Sequence, residues 1–339
     1  MRNPFGRNLA IDIGTANTVI YQSNNGIVLN EPSIVCVNTD TGEILSVGHE
    51  ARKMVGRTPA HIVSIKPLKD GVVADFETAQ KMLRMFLTQV GVRKFISKPI
   101  VVVAVPPVVT SVEHRAIKDA AYAAGAKKVY IMEEPMAAAI GAELPIDEPV
   151  GNMIIDIGGG TSETAVISLG GVVALEAIRV GSFDIDAAIQ TYVRREHGIA
   201  IGERTAEDIK IQIGTATPMP NERGAQVRGR DLVTGLPKNI MLTPEEVRFA
   251  IDEVVSQIVN SVTRCLSKVP PEMAQDFLQR GMYLVGGGGL LRGLAQRIEK
   301  ETDVPVRMSP MPLEAVVLGA GHCVENYQVL RSMFMGARR

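Results

Sequence analysis

Two stretches of the chain repeat one pattern of apolar and polar positions. Each begins with a short apolar strand ending in aspartate and glycine, continues through a polar turn into a second apolar strand, and passes a glycine turn into a third. The copies start at Asn8 and Met153, and Asp12 and Asp156 mark equivalent positions. Short apolar runs bounded by turn residues are typical of β-structure. The repeat predicts two β-meanders in two related halves, with a cleft between them.

Apolar residues at helical spacing follow each meander. Residues 110–113 form the pattern of a capping box, and Gly125 is placed to end the helix that follows. Thr243 begins another helix, with proline next and an acidic residue at the third helical position, and Pro270 stops it. A third helix is predicted to carry the apolar positions of residues 183–193. Strands that alternate with helices predict an α/β fold.

The segments outside these elements differ in composition. Two of them are rich in turn residues and charge, as in small subdomains inserted into each half, and they are residues 33–65 and 202–242.

Composition and charge exclude several classes of function. The chain has 36 Lys and Arg against 37 Asp and Glu, with no dense block of cations, which disfavours nucleic-acid binding. Its 3 cysteines lack a C-x-x-C pair and its 5 histidines lack a metal-binding spacing, so neither a disulfide framework nor a structural metal is predicted. The first residues lack an export signal, and the longest apolar stretch, residues 100–105, is too short to span a membrane. A cytoplasmic protein is expected.

Two glycine turns are candidates for phosphate binding. In residues 12–18, glycine permits close approach of backbone N–H groups to an anion, while Thr15 and Asn17 add side-chain donors. Aspartate at each strand end can hold hydrated Mg²⁺. A single copy could equally be an ordinary hairpin turn. The second copy has three consecutive glycines at 158–160, which weaken a buried strand end without a packing gain, so two opposed turns predict a phosphate clamp.

A third glycine run follows the predicted strand 282–285 and occupies positions 286–289. It is predicted to open a helix that begins near Leu290. Without Cβ atoms, these residues would let a flat ring or a sugar phosphate rest on the backbone near the positive end of that helix. The run matches neither G-x-G-x-x-G nor the P-loop pattern, which disfavours both of those nucleotide sites.

Paired carboxylates, Glu133 and Glu134, precede a helix in which Pro135 suits the first position. Acidic residues at a helix N-terminus ordinarily complement the helix dipole, which is one interpretation. Beside a phosphate clamp, one of them could instead position or deprotonate a water that attacks a γ-phosphate.

Together these motifs resemble the actin, Hsp70 and hexokinase superfamily of two-domain ATPases. The match narrows through residues 30–33, 65–76, 133–141 and 280–286, which are similar to the MreB family, the bacterial actins of cell shape. The resemblance implies an actin-like fold of four subdomains, with two related α/β halves around a nucleotide cleft, and ATP/ADP and Mg²⁺ as bound cofactors. In this fold the first half would have a large subdomain of residues 1–32, 66–147 and 318–339 and a small one of residues 33–65. The second half would have a large subdomain of residues 148–184 and 243–317 and a small one of residues 185–242. It also implies double filaments of the chain itself, at the inner face of the cell membrane. Other implied partners are an anionic membrane surface and membrane-bound cell-shape and cell-wall synthesis proteins, without nucleic acid.

The resemblance implies a role for each matching residue. Glu134 and Thr161 would orient the hydrolytic water, which implies a slow ATPase coupled to polymerisation. Asp12 and Asp156 would hold Mg²⁺, through water. The residues implied in nucleotide binding are Thr15, Ala16, Asn17, Gly158, Gly159, Gly160, Glu207, Asp208, Ile209, Lys210, Gly286, Gly287, Gly288 and Gly289.

The residues alone leave some of these assignments open. Around positions 207–210 they show only a capped amphipathic helix starting at Thr205. A metabolic kinase of the same superfamily is an alternative, although the inserted segments offer no evident substrate site. A chaperone-type ATPase is another, and it would need a peptide-binding domain after the ATPase region.

Two segments combine basic and apolar residues in a way that suits an anionic bilayer. Residues 327–339 hold three arginines and no acid, and their apolar positions share one helical face: Val329, Leu330, Met333 and Phe334. Phe95 and Ile96 lie among basic residues in a predicted loop. The alternative is that the tail packs on the first half and the loop pair caps a core edge.

Overall fold

The structure, a computed structural model, describes residues 8–92, 99–327 and 334 of the chain. The strands are β1 (Leu9–Ile13), β2 (Asn17–Gln22), β3 (Gly26–Pro32), β4 (Val35–Asn38), β5 (Ile44–Val47), β6 (Ile62–Ile65), β7 (Leu68–Lys69), β8 (Val72–Val73), β9 (Ile100–Val105), β10 (Lys128–Glu133), β11 (Asn152–Ile157), β12 (Ser162–Ser168), β13 (Gly171–Ile178), β14 (Ile199–Ala200), β15 (Ala225–Asp231), β16 (Pro237–Leu242), β17 (Met282–Val285) and β18 (Val306–Met308). The helices are α1 (Gly48–Met54), α2 (Phe76–Gln89), α3 (Ser111–Ala123), α4 (Glu134–Gly141), α5 (Ser182–His197), α6 (Glu203–Ile213), α7 (Pro244–Leu266), α8 (Pro271–Arg280), α9 (Leu294–Thr302) and α10 (Ala315–Glu325).

The two halves share one sheet topology. The first sheet has the order β10-β9-β1-β2-β3, and the second has the order β13-β12-β11-β17-β18. In each, three strands form an antiparallel meander and two further strands run parallel to the first strand of the meander. Asp12 ends up at the carboxyl end of β1 and Asp156 at the same place on β11. The prediction of an α/β fold with two related halves is confirmed.

Small sheets accompany each half. β5-β4-β6 and α1 follow the first meander, and β14-β15-β16 follows α5 of the second half. These elements fall within the segments that the sequence assigned to small subdomains. The exact subdomain boundaries stay a prediction.

Local sequence explains where the main helices begin. Thr110 and Glu113 form a reciprocal capping box at the start of α3, and Thr243 and Glu246 form another at the start of α7. Gly125 follows the end of α3 with φ +114°, a value that favours glycine. These predicted helix starts are confirmed because every group involved lies within a few residues of the others.

Three predicted helix starts differ from the structure. After the glycine run there is only a 3₁₀ turn, Gly288–Leu290, and α9 begins later, at Leu294. The α6 helix begins at Glu203, two residues before the predicted Thr205, with Gly202 as N-cap and no side-chain cap. Pro135 is the second residue of α4, because Glu134 already has helical geometry. None of these three helices has a side-chain cap at its start. Tertiary packing therefore determines the first helical residue, and the local sequence does not show it.

One cluster of buried apolar residues joins the two halves. It packs α4 and α10 together with residues from β1 and β9 of the first sheet and β11 and β12 of the second. Where the two helices cross, a Cβ on Gly141 would lie 1.8 Å from the carbonyl oxygen of Ala315. A Cβ on Gly319 would lie equally close, at 1.8 Å, to the carbonyl oxygen of Ala137. The helix backbones therefore touch, and only glycine fits at either position.

The structure bears on one of the two predicted membrane segments. Phe334 is 3% exposed and stacks on Tyr130 of β10, with ring centroids 4.6 Å apart. This residue therefore packs on the first half, as the alternative interpretation had it. Phe95, Ile96 and the other apolar tail positions lie outside the described residues. Within the described part of the chain, no helix is long and apolar enough to cross a membrane.

Candidate functional site

The two glycine turns lie in contact with each other. Each is closed by the same backbone hydrogen bond, donated by Gly14 N–H to the Asn17 carbonyl at 3.0 Å and by Gly158 N–H to the Thr161 carbonyl at 2.9 Å. A Cβ on Gly159 would approach the Ala16 Cβ to 2.9 Å, so a side chain there would force the turns apart. The ends of β1 and β11 therefore face one space.

That space is a cleft of about 1740 Å³, including its open mouth. Both halves of the chain contribute to its walls, as does the loop before α10. Without the open mouth its volume is about 520 Å³, which lies within the roughly 300–1,000 Å³ usual for small-molecule pockets, so the cleft can hold a ligand of nucleotide size.

Three buried carboxylates meet in the cleft. Asp156 is 5% exposed, Glu134 7% and Glu163 1%, and one oxygen from each lies within 4.8 Å of the others. Oε1 of Glu134 and Oε1 of Glu163 have no hydrogen-bond partner within the described structure. Buried polar oxygens are normally satisfied, so these two are placed to meet a ligand, a water or an ion.

The crowding raises the pKa of each carboxyl group. Burial raises the pKa of Asp156 to about 7, and burial together with the charge of Asp156 raises that of Asp12 to about 7. Burial, then Glu163, Asp12 and Asp156, raise the pKa of Glu134 well above its usual value. Like charges in a desolvated space oppose one another's ionisation. A bound cation would relieve this repulsion.

Sequence reasoning missed Glu163 as a site residue. It lies in β12 directly opposite Asp156 of β11. Every residue of that strand is buried, so a carboxylate within it is the signal that could have found the residue. Asp186 was missed as well: it lies 2.9 Å from Lys210 Nζ, and burial raises its pKa to about 6 although Lys210 acts in the opposite direction.

Ion pairs connect the two halves across the mouth of the cleft. Arg52 of α1 pairs with Glu207 of α6, and Lys66 Nζ lies 2.6 Å from a carboxylate oxygen of Glu203. The Lys66 ammonium also lies 4.4 Å from the ring centroid of Phe183. Because these pairs are partly exposed, each contributes little to stability on its own. Of the two pairs, the one between Arg52 and Glu207 joins α1 to α6.

The cleft brings together most of the residues assigned by motif. Those lining it are Asp12, Thr15, Ala16, Asn17, Glu134, Asp156, Gly158, Gly159, Thr161, Glu207, Lys210, Gly286, Gly287 and Gly288.

Four assigned residues do not line the cleft. Gly160 packs behind it, where a Cβ would come within 3.1 Å of Thr15 Cγ2. Gly289 is buried next to the Leu284 side chain, Ile209 lies in the core of the second half, and Asp208 is exposed. The side chains of consecutive residues in a helix or a tight turn point in different directions. A motif therefore predicts which segment borders the cleft, but not which of its residues contact a ligand. Ligand binding by the assigned residues stays a prediction.

The lining fits a phosphate-bearing ligand with Mg²⁺. Two glycines of the lining pack closely against β11: a Cβ on Gly286 would lie 2.4 Å from Asp156 Oδ1, and a Cβ on Gly288 would lie 2.4 Å from Ile157 Cγ2, so a side chain fits at neither position. Glycine-turn N–H groups suit phosphate oxygens, and carboxylates are the hard oxygen ligands that Mg²⁺ takes, directly or through water.

The two halves have the same sheet topology, are joined by the crossing helices α4 and α10, and enclose an acidic cleft lined with glycine. This combination defines an actin-like protein. The model of the family described as MreB/Mbl protein matches residues 6–332. The chain belongs to the MreB/Mbl family, and this places it among the cytoskeletal proteins of cell shape.

Individual relatives agree with this assignment. The chain is 48% identical to the cell shape-determining protein MreB of Escherichia coli, covering 96% of this chain and 95% of that one. It is 46% identical to Mbl of Bacillus subtilis, covering 96% and 98%. The crystal structure of MreB5 of Spiroplasma citri bound to AMPPNP superposes with a TM-score of 0.91 at 37% identity, covering 95% and 97%. A MamK filament structure, at 20% identity and a TM-score of 0.80 over 94% and 99%, shares the fold.

Proposed function

We propose that this protein binds ATP with Mg²⁺ in the cleft and hydrolyses it slowly, and that hydrolysis is coupled to assembly into filaments. The observation that carries the proposal is the meeting of two glycine turns with three buried carboxylates, two of which keep an unpaired oxygen. The similar MreB5 structure contains AMPPNP, an ATP analogue, which supports the choice of ligand.

The residues of the cleft divide into two groups under this proposal. The turn at Thr15 and the turn at Gly158 hold the phosphates with backbone N–H groups, while Asp12 and Asp156 hold Mg²⁺ through water. Bound Mg²⁺ supplies charge neutralisation to the phosphate oxygens. Glu134, with its free oxygen, accepts a proton from the attacking water.

A rigid apolar turn supports self-association. The β15–β16 hairpin exposes Leu232, Val233 and Leu236, with Val233 94% exposed. The Asp231 carboxylate fixes this turn by accepting hydrogen bonds from Val233 N–H and Thr234 N–H, each at 2.9 Å. An ordered apolar tip is costly to leave in water and suits contact with another protein surface. We assign it to the interface between copies of the chain.

Val233→Asp is expected to raise the protein concentration needed for assembly at least tenfold, because a charge would have to be buried at the interface. Val233→Ile, which keeps the apolar surface, is the matched control and should assemble as the wild type does. Sedimentation and negative-stain microscopy with ATP and with ADP measure the effect. Assembly of Val233→Asp at wild-type concentration would contradict the interface. Absence of any ATP-dependent assembly in the wild type would contradict the proposed function.

Membrane association is part of the same proposal. Residues 93–98 and 327–339 join basic and apolar residues, and each basic residue near an anionic surface adds about 1 kcal/mol. One such contact is weak, but a filament makes many of them act together. Filaments at the membrane would then organise membrane-bound cell-shape and cell-wall synthesis proteins from its inner face.

Pelleting with liposomes is expected to require anionic lipid, to fall with added salt and to rise with polymerisation. The double variant Phe95→Ser, Ile96→Ser and the double variant Val329→Ser, Leu330→Ser should each pellet less. Phe334 is left in place because it packs on Tyr130. If both double variants pellet as well as the wild type, neither segment is an anchor.

A further inference from the structure

The ammonium group of Lys210 is fully hydrogen-bonded within the protein. It donates to the Ser182 hydroxyl at 2.5 Å, to the Ser182 carbonyl at 3.2 Å and to Asp186 Oδ2 at 3.0 Å. An ammonium group has three hydrogens to donate. Each of them therefore has an acceptor in the protein, although Lys210 lines the cleft.

Asp186 keeps this ammonium group in place. It is 6% exposed and does not belong to the cleft lining, and the side chain of Lys210 is 13% exposed. A hydrogen bond between opposite charges is strong where water is excluded, and separating the two would leave a buried charge unpaired. Lys210 is therefore held against the start of α5.

The start of α5 rests in turn on one of the two glycine turns. Ser182 N–H donates to the Gly158 carbonyl at 3.0 Å, and Phe183 N–H donates to the Gly159 carbonyl at 2.8 Å. Gly181 touches the same turn, since a Cβ on it would lie 2.7 Å from the carbonyl carbon of Gly159. The first two N–H groups of the helix are thus used within the protein.

The Ser182 hydroxyl still has a hydrogen to donate. Its oxygen accepts a hydrogen bond from Lys210, and its hydrogen has no acceptor in the part of the chain that the structure describes. Ser182 also lines the cleft. A hydroxyl that accepts a hydrogen bond from a cation is polarised and becomes a stronger donor. Such a hydroxyl suits an anionic oxygen.

We propose that Ser182 binds a phosphate group of the nucleotide by donating its hydroxyl hydrogen, and that Lys210 is a positioning residue that acts through Ser182. The inference rests on the proposed binding of ATP in the cleft. Phosphate is favoured over ribose because Ser182 is hydrogen-bonded to the turn at Gly158, which holds phosphates under that proposal. The positive end of the α5 dipole also lies at Ser182 and favours an anion there.

Lys210 thereby has a role other than the direct contact that its motif implies. Its hydrogen bond occupies a lone pair of the Ser182 oxygen, so the hydroxyl hydrogen points away from Lys210. Asp186 fixes Lys210, Lys210 fixes the Ser182 hydroxyl, and the hydroxyl contacts the ligand.

Ser182→Ala is expected to weaken the binding of ADP about tenfold, the effect of one lost hydrogen bond to a charged group. Adenosine, which has no phosphate, should bind within about twofold of its wild-type affinity. The carbonyl of residue 182 still accepts from Lys210 in this variant, so the start of α5 should stay in place. Competition with a fluorescent ATP analogue measures each affinity, and thermal unfolding without nucleotide checks the fold.

Two further variants serve as controls. Ser182→Thr keeps the hydroxyl and should bind ADP within about threefold of the wild-type affinity. Thr191→Val removes a hydroxyl of the same helix that donates to the Ala187 carbonyl outside the cleft, and it should leave both affinities unchanged.

A double-mutant cycle separates positioning from direct contact. The paired variant Lys210→Met, Asp186→Asn removes the ammonium group together with the charge that it would leave buried, so the net charge beside the cleft stays the same. It should weaken ADP binding about three- to tenfold in the wild-type background. In a Ser182→Ala background the same pair should change ADP affinity by less than about twofold, because no hydroxyl remains to be positioned.

The outcomes distinguish this role from the proposed function. Wild-type ADP affinity of Ser182→Ala, an equal loss of adenosine binding, or an equal loss in Ser182→Thr would overturn the contact with phosphate. An undiminished effect of the paired variant in the Ser182→Ala background would mean that Lys210 contacts the ligand itself, and would overturn the positioning role. A wild type that binds neither ATP nor ADP would instead refute the proposed function and, with it, this role.

Discussion

Glu134→Ala is expected to slow the release of phosphate from ATP by about 10²–10⁴-fold, the usual cost of a lost general base. Glu134 begins α4, is 7% exposed, belongs to the cluster of buried carboxylates and keeps one oxygen without a hydrogen-bond partner in the described structure. The substitution removes the group that accepts the proton and leaves the glycine turns intact. ATP affinity should therefore stay close to that of the wild type. Single-turnover phosphate release and equilibrium binding measure the two quantities separately.

Glu133→Ala is the matched control for this experiment. Glu133 is the neighbouring residue, caps α4 without a side-chain hydrogen bond and does not line the cleft. It should therefore release phosphate at the wild-type rate. If Glu134→Ala instead lost binding and turnover in equal measure, Glu134 would be a structural residue at a helix start.

Asp156→Ala is expected to abolish most of the increase in melting temperature that ATP and Mg²⁺ give the wild type. A ligand at 100 times its Kd stabilises the native state by about 2.7 kcal/mol, and Asp156 lies at the junction of the two glycine turns and the other carboxylates. Thermal unfolding with nucleotide and Mg²⁺, and with nucleotide and a chelator, measures the loss. A wild type whose melting temperature ignores millimolar ATP would contradict the assignment of the cleft.

The pH dependence of the nucleotide-free protein serves as the control for folding. Because the folded pKa of Asp156 is about 7 and the unfolded value about 3.9, the native state binds more protons between these limits. The wild type therefore loses stability from this group as pH rises from about 4 to about 7. Asp156→Ala should lack that loss, so at pH 8 without nucleotide it should melt no lower than the wild type. A low melting temperature would mean that the variant folds poorly.

The sequence predicts those features that depend on neighbouring residues. The repeat marked by Asp12 and Asp156 is visible because each meander is continuous in the chain, and the starts of α3 and α7 are visible because a capping box spans four residues. The glycine turns stand out for the same reason. In the meanders, the capping boxes and the glycine turns, the pattern that predicts the structure lies in residues that are adjacent in the chain.

Contacts between distant segments could not be predicted. Glu163 faces Asp156 only through the pairing of β11 with β12, and Lys66 meets Glu203 only when the two halves close on each other. Likewise, whether Ile209 points to the core or the cleft depends on the rotation of α6 about its axis, which packing determines. The prediction of a helix that begins near Leu290 was wrong, because a glycine run does not specify how many residues form the turn before the helix. The α9 helix begins at Leu294.

The crossing of α4 and α10 has a consequence for genetic studies of this protein. Glu134 begins one of the crossing helices, and the residue that begins the other, Ala315, follows the cleft-lining residues Pro312 and Leu313. A side chain at Gly141 or Gly319 would separate the helices and shift both walls at once, without altering any residue that contacts a ligand. Screens for conditional alleles and for suppressors of site variants should therefore yield substitutions at this crossing, which lies outside the cleft lining and leaves the chemistry of the cleft unchanged.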